Sequence, residues 1–550
     1  MSNLKRILAG VCWAILLSNP LLSSEPTISL TPPSHAEVRG FTERMDQLQQ
    51  RLDRLEAENG QLKQSLFESQ TRLNHEVTPA NAEMWTADTA CPPECQCPNC
   101  APAQDGKGDW KTGWNHGIEW VSPDKAFKVH IGGRTQFDSV WYQAEAGALS
   151  GASGSGSQDG VGFRRARLRA DGTMYESIEY VVEFDFVNTV NANQGLAIDP
   201  GAGVSAPTNE NSVINVTAPT DLWFRFKDIP IVGNIQVGNI KEPIGFEHLT
   251  SSRYLNFLER SFNQDLFTGA FNNGFTPGIL AHNTYAEQRG TWAIGLFRNT
   301  ANIFAFDVGD GEGAVTGRVT YLPLLDEECH QLIHIGLSGS SRDPDQNRVR
   351  YRTRDMRQGG NGSLATVFAD TGFFAASQAY FAGAELVGVN GPLSFQAEWI
   401  GSWNPNAVSQ SGTASAATGT PLGTVYVQNF YTEVHYFLTG ETREYEKKSG
   451  AFGRVIPLRN ARWKGGCFEP GAWQVAFRYD HADLNDHGVF GGTLNSYTFG
   501  VNWFLNPNMK VQANYALTER DRASNQTLPI GTPAADGLIH GFGLRVAHDF

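Results

Sequence analysis

Two-residue periodicity that gathers charge on one face constrains this chain more than any other feature. In Gly162 to Val187, Arg165, Arg167 and Arg169 share one face of an extended strand, and Ala166, Leu168 and Ala170 share the other. After a break at Asp171 to Met174 the pattern resumes. Glu179, Glu183 and Asp185 then oppose Tyr180, Val182, Phe184 and Phe186. A soluble barrel or sandwich would bury the apolar face and leave the charges in solvent. A membrane β-barrel inverts this, with charge toward a watery interior and apolar side chains toward lipid. Recurrence of the pattern to the C-terminus, which ends in Phe550, favours the inverted reading.

Composition narrows the alternatives. Beyond residue 25 there is no run of eighteen apolar residues, which excludes a transmembrane helix, but a barrel strand needs only about nine to eleven alternating residues. The net charge of -14 argues against a nucleic-acid partner.

Lys5 and Arg6 followed by the apolar run Ile7 to Leu17 read as a secretory signal, and residues 1–36 are assigned to signal and leader with the cleavage site open. Phe41, Met45, Leu48, Leu52, Leu55, Asn59, Leu62, Leu66, Ser69 and Leu73 follow spacings of four and three. That seam predicts an α-helical coiled coil within 37–76, with Asn59 fixing register, although an amphipathic helix lying on the barrel has the same pattern. Residues 77–110 form a Pro-rich linker carrying Cys91, Cys95, Cys97 and Cys100. Export favours disulfides there, and the compact spacing leaves a metal site open, although no metal is assigned.

Residues 111–550 are assigned to the barrel. Alternating segments predict sixteen antiparallel strands, and the connections alternate between long and short, as expected when long loops face outward and short turns face the periplasm. In this reading 483–494 is a long outer loop, while 439–470 is a long link where a short turn belongs. Both barrel ends then face the periplasm, and so does the coiled coil.

Five segments occur in one order: FRRARLRADG with EFDF (163–186), IKEPIGFEHLTSSRYLNFLERSF (240–262), YFLTGETREYE with GAFGRVIPLRN (436–460), GAWQVAFRYDHADLN (471–485) and VNWFLNPNMKVQANY (501–515). Together they resemble the phosphate-selective porin O/P family of bacterial outer-membrane porins. The resemblance implies a sixteen-stranded, usually trimeric, anion-preferring diffusion channel, and it accounts for the long 439–470 link; no cofactor is expected. The N-terminal coiled coil is outside that pattern.

A pore selects by the charges along it and by the loop that narrows it. The pore-lining candidates are Arg165, Arg167, Arg169, Arg225 and Lys227 on strands, with Lys241 at the base of the third long loop, 242–275. In that loop Arg253 and Arg260 stand beside Glu242, Glu247 and Glu259, either crossing the channel with a transverse field or neutralising one another. Arg348, Arg350, Arg352 and Arg354 alternate in a segment that, if extended, sets guanidinium groups about 6.6 to 6.8 Å apart. Such a row suits oxyanions, although a solvated loop would look the same. Glu179, Glu183 and Asp185 are expected to pair with neighbouring arginines.

No HExxH, GxSxG or P-loop pattern is present, and no nucleophile, base and acid assemble from spacing, so an enzyme is not expected. The expected partners are permeating small anions, outer-membrane lipid, two further copies of the chain and an envelope component reached through the coiled coil. The competing reading is a structural envelope protein whose barrel anchors that coil.

Overall fold

A computed structural model describes residues 109–145, 159–191, 213–269, 274–299, 313–344, 347–356, 367–409, 419–521 and 536–550. The signal, the heptad seam and the Cys91 to Cys100 cluster lie outside the described residues.

Sixteen strands form the wall. They are β1 Lys128–Ala144, β2 Gly160–Met174, β3 Ile178–Asn191 and β4 Val213–Ile229. Next come β5 Gly233–Lys241, β6 Phe275–Tyr285, β7 Gly290–Arg298 and β8 Gly313–Asp326. The second half comprises β9 Gln331–Arg342, β10 Ala379–Asn390, β11 Leu393–Ser409 and β12 Pro421–Phe437. It ends with β13 Ala472–Asp486, β14 Val489–Asn506, β15 Met509–Asp521 and β16 Gly537–Asp549. Each pairs antiparallel with its neighbours, and β16 closes on β1 with Phe542 opposite Trp141. Closure leaves no free edge, so every strand has a hydrogen-bonding partner on both sides.

The inversion expected from the sequence is present. Phe163, Leu168, Phe186, Phe499 and Val501 are exposed on the outer face, whereas Arg167, Glu183, Asp185, Thr498 and Asn502 are buried toward the inside. An outer surface this apolar is stable only against lipid. A hairpin of Lys111–Trp114 and Ile118–Val121 pairs with β1 at Lys128–Ile131, just past the end of β16. There the Phe550 carbonyl accepts from the Gly133 N–H at 2.7 Å.

Two connections differ from expectation. The long loop expected at 483–494 is absent, because β13 and β14 run on to a two-residue turn at His487 and Gly488, with φ of 42° and 87°. Left-handed conformation at both turn positions is what a tight hairpin requires. Leu484, Val489 and Leu494 face inward here and pack into an apolar cluster, so the polar-inside rule fails locally and hid the strands. The first part of the 438–471 link folds into the barrel. Its Phe452 and Tyr445 rings sit 4.9 and 6.4 Å from Phe246 of the third loop, and the Tyr445 hydroxyl bonds His334 on the wall at 2.7 Å.

The interior is therefore unevenly filled. Phe262, Leu266 and Phe267 from the loop after β5 meet Tyr351, Phe368 and Phe374 from the loop after β9, and both groups pack on the inner faces of β10 to β14.

Candidate functional site: a cationic conduit along one wall

Opposite that packed half, a cavity of about 1080 Å³ follows the inner faces of β1 to β8. It is lined by fourteen Lys and Arg side chains against seven Asp and Glu, in a chain whose net charge is -14. Eight of the candidates lie on this wall: Arg165, Arg167, Arg169, Arg225, Lys227, Lys241, Arg253 and Arg260.

The strands hold these groups through cross-strand partners. Arg167 bonds Asp185 at 2.7 Å and Glu183 at 3.1 Å, and Arg134 reaches the other Glu183 oxygen at 2.6 Å. Arg169 bonds Asp171 at 2.8 Å, while Glu179 receives Arg225 at 2.9 Å and Lys227 at 3.3 Å. The acidic face of β3 thus pairs with arginines of the adjoining strands, as its alternation suggested. Lys241 donates to the carbonyl of His248 at 2.7 Å.

The third loop separates its charges by sign. Glu242 is held by Arg342 at 2.9 Å, Glu247 by Arg478 at 2.6 Å, and Glu259 by Arg164 and Arg545. None of these three acids lines the cavity, whereas Arg253 and Arg260 do. Arg260 donates to the carbonyls of Glu247 and Thr250 at 2.8 and 2.6 Å, which fixes it on the cavity wall. Burial lowers both Arg253 and Arg260 to about 10, so both remain cationic at neutral pH. Two Glu398 oxygens accept from the Phe246 and Glu247 N–H groups at 2.7 Å each, anchoring the loop to the far wall.

The row at Arg348 to Arg354 is not an extended ladder, and none of its four arginines lines this cavity. Arg348–Val349 pairs with Phe374–Ala375 and Arg352–Thr353 with Ala369–Asp370, so the segment bends between two short bridges. Arg348 stacks over Phe373 at 4.2 Å, Arg350 bonds Asp370 at 2.9 Å, and Arg354 bonds Asp265 at 3.0 Å. Burial lowers Arg352 to about 9. Arg348 and Arg350 thus brace the outer loop internally, and Arg354 ties it to the inward one.

Lys128, Arg134, Arg164, Arg318, Lys448 and Arg454 also line the cavity and were missed. Arg164 reaches the inside through a bulge: Arg165 pairs opposite Gln136 and Phe163 opposite Phe137, leaving Arg164 as the extra residue. Two adjacent arginines where strict alternation permits one were the available signal.

Comparison with known proteins gives the following. The family model described as phosphate-selective porin O and P matches residues 136–546. Porin O of Pseudomonas aeruginosa is 24% identical over 450 residues, covering 77% of this chain and 89% of that protein. An uncharacterized protein of Caulobacter vibrioides is 25% identical over 461 residues, covering 82% of this chain and 79% of its own. Among solved structures, the anion-selective porin from Comamonas acidovorans aligns with a TM-score of 0.38 at 12% identity, over 77% of this chain and all of that one.

Proposed function

The chain belongs to the phosphate-selective porin O and P family and is an outer-membrane porin, and from that premise we propose that its conduit prefers anions, phosphate and other small oxyanions among them. The observation that carries this is the excess of cations on the cavity wall, set against an acidic whole. An anion entering the conduit passes along paired guanidinium groups on β2 to β4 toward Arg253 and Arg260. Arginines already engaged by carboxylates retain attraction without gripping, which suits a pore that must release what it binds. Lys241, Arg253 and Arg260, which stand on the cavity wall at and beyond the end of β5, would carry most of the discrimination.

Reversal potentials in planar bilayers under a salt gradient test this directly. Anion selectivity is expected, and a cation-selective value would overturn it. Phosphate added to a chloride current separates an oxyanion channel from a general one. A barrel passing no current would support the anchor reading instead.

We further place residues 41–73 in the periplasm as a coiled coil that strengthens a trimer or meets another envelope component. Supporting this, the first and last wall strands begin and end at the short-turn side. Deleting 41–73 is expected to lower the temperature at which the oligomer dissociates in detergent.

A further inference from the structure

Between β12 and β13 the link forms a second small hairpin, Arg462–Lys464 paired with Cys467–Glu469 through Gly465 and Gly466, at φ of 59° and 81°. Its two faces differ. Trp463 stands opposite Phe468 on one, with ring centroids 5.1 Å apart, while Arg462 opposite Glu469 and Lys464 opposite Cys467 occupy the other. Trp463 is 76% exposed, and nothing described covers its ring beyond Phe468. A two-stranded hairpin with an uncovered aromatic face is marginal in water.

That face lies beside the lipid-facing wall. The hairpin ends at Pro470, whose carbonyl accepts from the indole N–H groups of Trp473 at 3.2 Å and Trp503 at 2.6 Å. Those two indoles stack at 5.3 Å on the lipid-facing side of β13 and β14, in line with exposed Val475 and Val501. The hairpin therefore leaves the barrel on its outer side, beside an aromatic pair of the type found at the membrane boundary. The charge is complementary to lipid phosphate: Arg459, Arg462 and Lys464 are all exposed against one acid, Glu469, which Arg462 bonds at 2.6 Å and holds below its ordinary value, so the cluster keeps a net positive charge. Short turns place this end of the barrel in the periplasm.

We propose that this hairpin is a foot that rests on the periplasmic leaflet of the outer membrane, with Trp463 and Phe468 entering the interface and Arg459, Arg462 and Lys464 holding an anionic phospholipid headgroup. The inference uses the outer-membrane placement and is independent of what permeates. A basic, aromatic surface continuous with the lipid-facing wall has the composition of an interfacial lipid contact.

The test uses the full chain purified in mixed micelles of phosphatidylcholine and phosphatidylglycerol, with retained lipid counted by native mass spectrometry. The wild type is expected to retain phosphatidylglycerol selectively. In R459Q/R462Q/K464Q that preference should fall by about fivefold for each cation removed. W463S/F468S is expected to retain fewer lipids of either kind, with conductance and heat-modifiable mobility unchanged in both variants. Unchanged phosphatidylglycerol preference in the charge variant would overturn the proposal. So would an oligomer that dissociates in W463S/F468S while lipid retention holds, since the face would then belong to another copy of the chain.

Discussion

Arg354 and Asp265 join two loops that enter the barrel from different strands. The backbone N–H and the guanidinium of Arg354 both donate to one Asp265 oxygen, each at 3.0 Å. Beside this contact Phe267 of the inward loop lies 5.7 Å from Tyr351 of the outer one. The outer loop thereby reaches across the lumen, where Met356 packs on Val140, Leu258 and Ala516.

Removing the guanidinium should loosen that junction. Its side chain is 10% exposed and that of Asp265 9%, so R354M leaves a nearly buried carboxylate with its main counter-charge gone. Breaking such a pair costs on the order of 3–5 kcal/mol locally. Single-channel recordings of R354M are expected to show larger and noisier currents than wild type. The double variant R354M/D265N, which removes the stranded charge, should recover much of the quiet behaviour.

Arg253 tests selectivity. It lines the cavity, sits 3.4 Å from Asp549 and stays cationic at neutral pH. Replacing it by Glu changes the wall by two charges, and at roughly 7 Å with an effective dielectric of 20 each is worth about 2 kcal/mol to a passing ion. R253E should move the reversal potential toward cations, R253Q should move it about half as far, and raising the salt concentration should shrink both shifts.

Much of this molecule could be read from the chain because lipid imposes a simple rule on the outer face. Phe184, Phe499 and Val501 alternate with inward polar groups, and the count of sixteen strands and the pairing of the acidic face of β3 followed. The rule weakens where the inside is not water. Leu484, Val489 and Leu494 face inward against other loops, so the hairpin at His487 looked like a loop. The Arg348 to Arg354 row misled for the complementary reason. Its alternation is real, but Asp370, Phe373 and Asp265 capture the guanidinium groups and bend the segment, and those partners are distant in sequence. Arg164 required knowledge of a bulge that alternation alone does not reveal.

Glu446 gives the channel a sign-definite response to pH. It lines the cavity from the inward-folded link with its side chain exposed to the lumen, and partial desolvation by the surrounding wall raises its carboxyl above the ordinary value despite Ser449 and Arg454 nearby. Lowering the pH from neutral should therefore remove this negative charge from the wall at a higher pH than an unperturbed glutamate would lose it, and increase anion preference. In E446Q the charge is already absent, so its reversal potential should start closer to the acid value and change less as the pH falls.

Arg167 separates stability from conduction. It bonds Asp185 and Glu183 and lies 5.5 Å from the Phe275 ring. In R167M, Glu183 keeps Arg134 at 2.6 Å, whereas Asp185 loses its bridging guanidinium and retains backbone N–H donors from Ala166 and Val187. The barrel should lose on the order of 3–5 kcal/mol, because a buried carboxylate left without its partner is costlier than the pair was favourable. Urea unfolding of the detergent-solubilised barrel would measure this. R167M/D185N should recover most of the loss while still lacking one cation on the wall, and its reversal potential should remain displaced from wild type. A double variant restored in stability but not in selectivity would assign Arg167 both tasks; one restored in both would make it a wall brace alone.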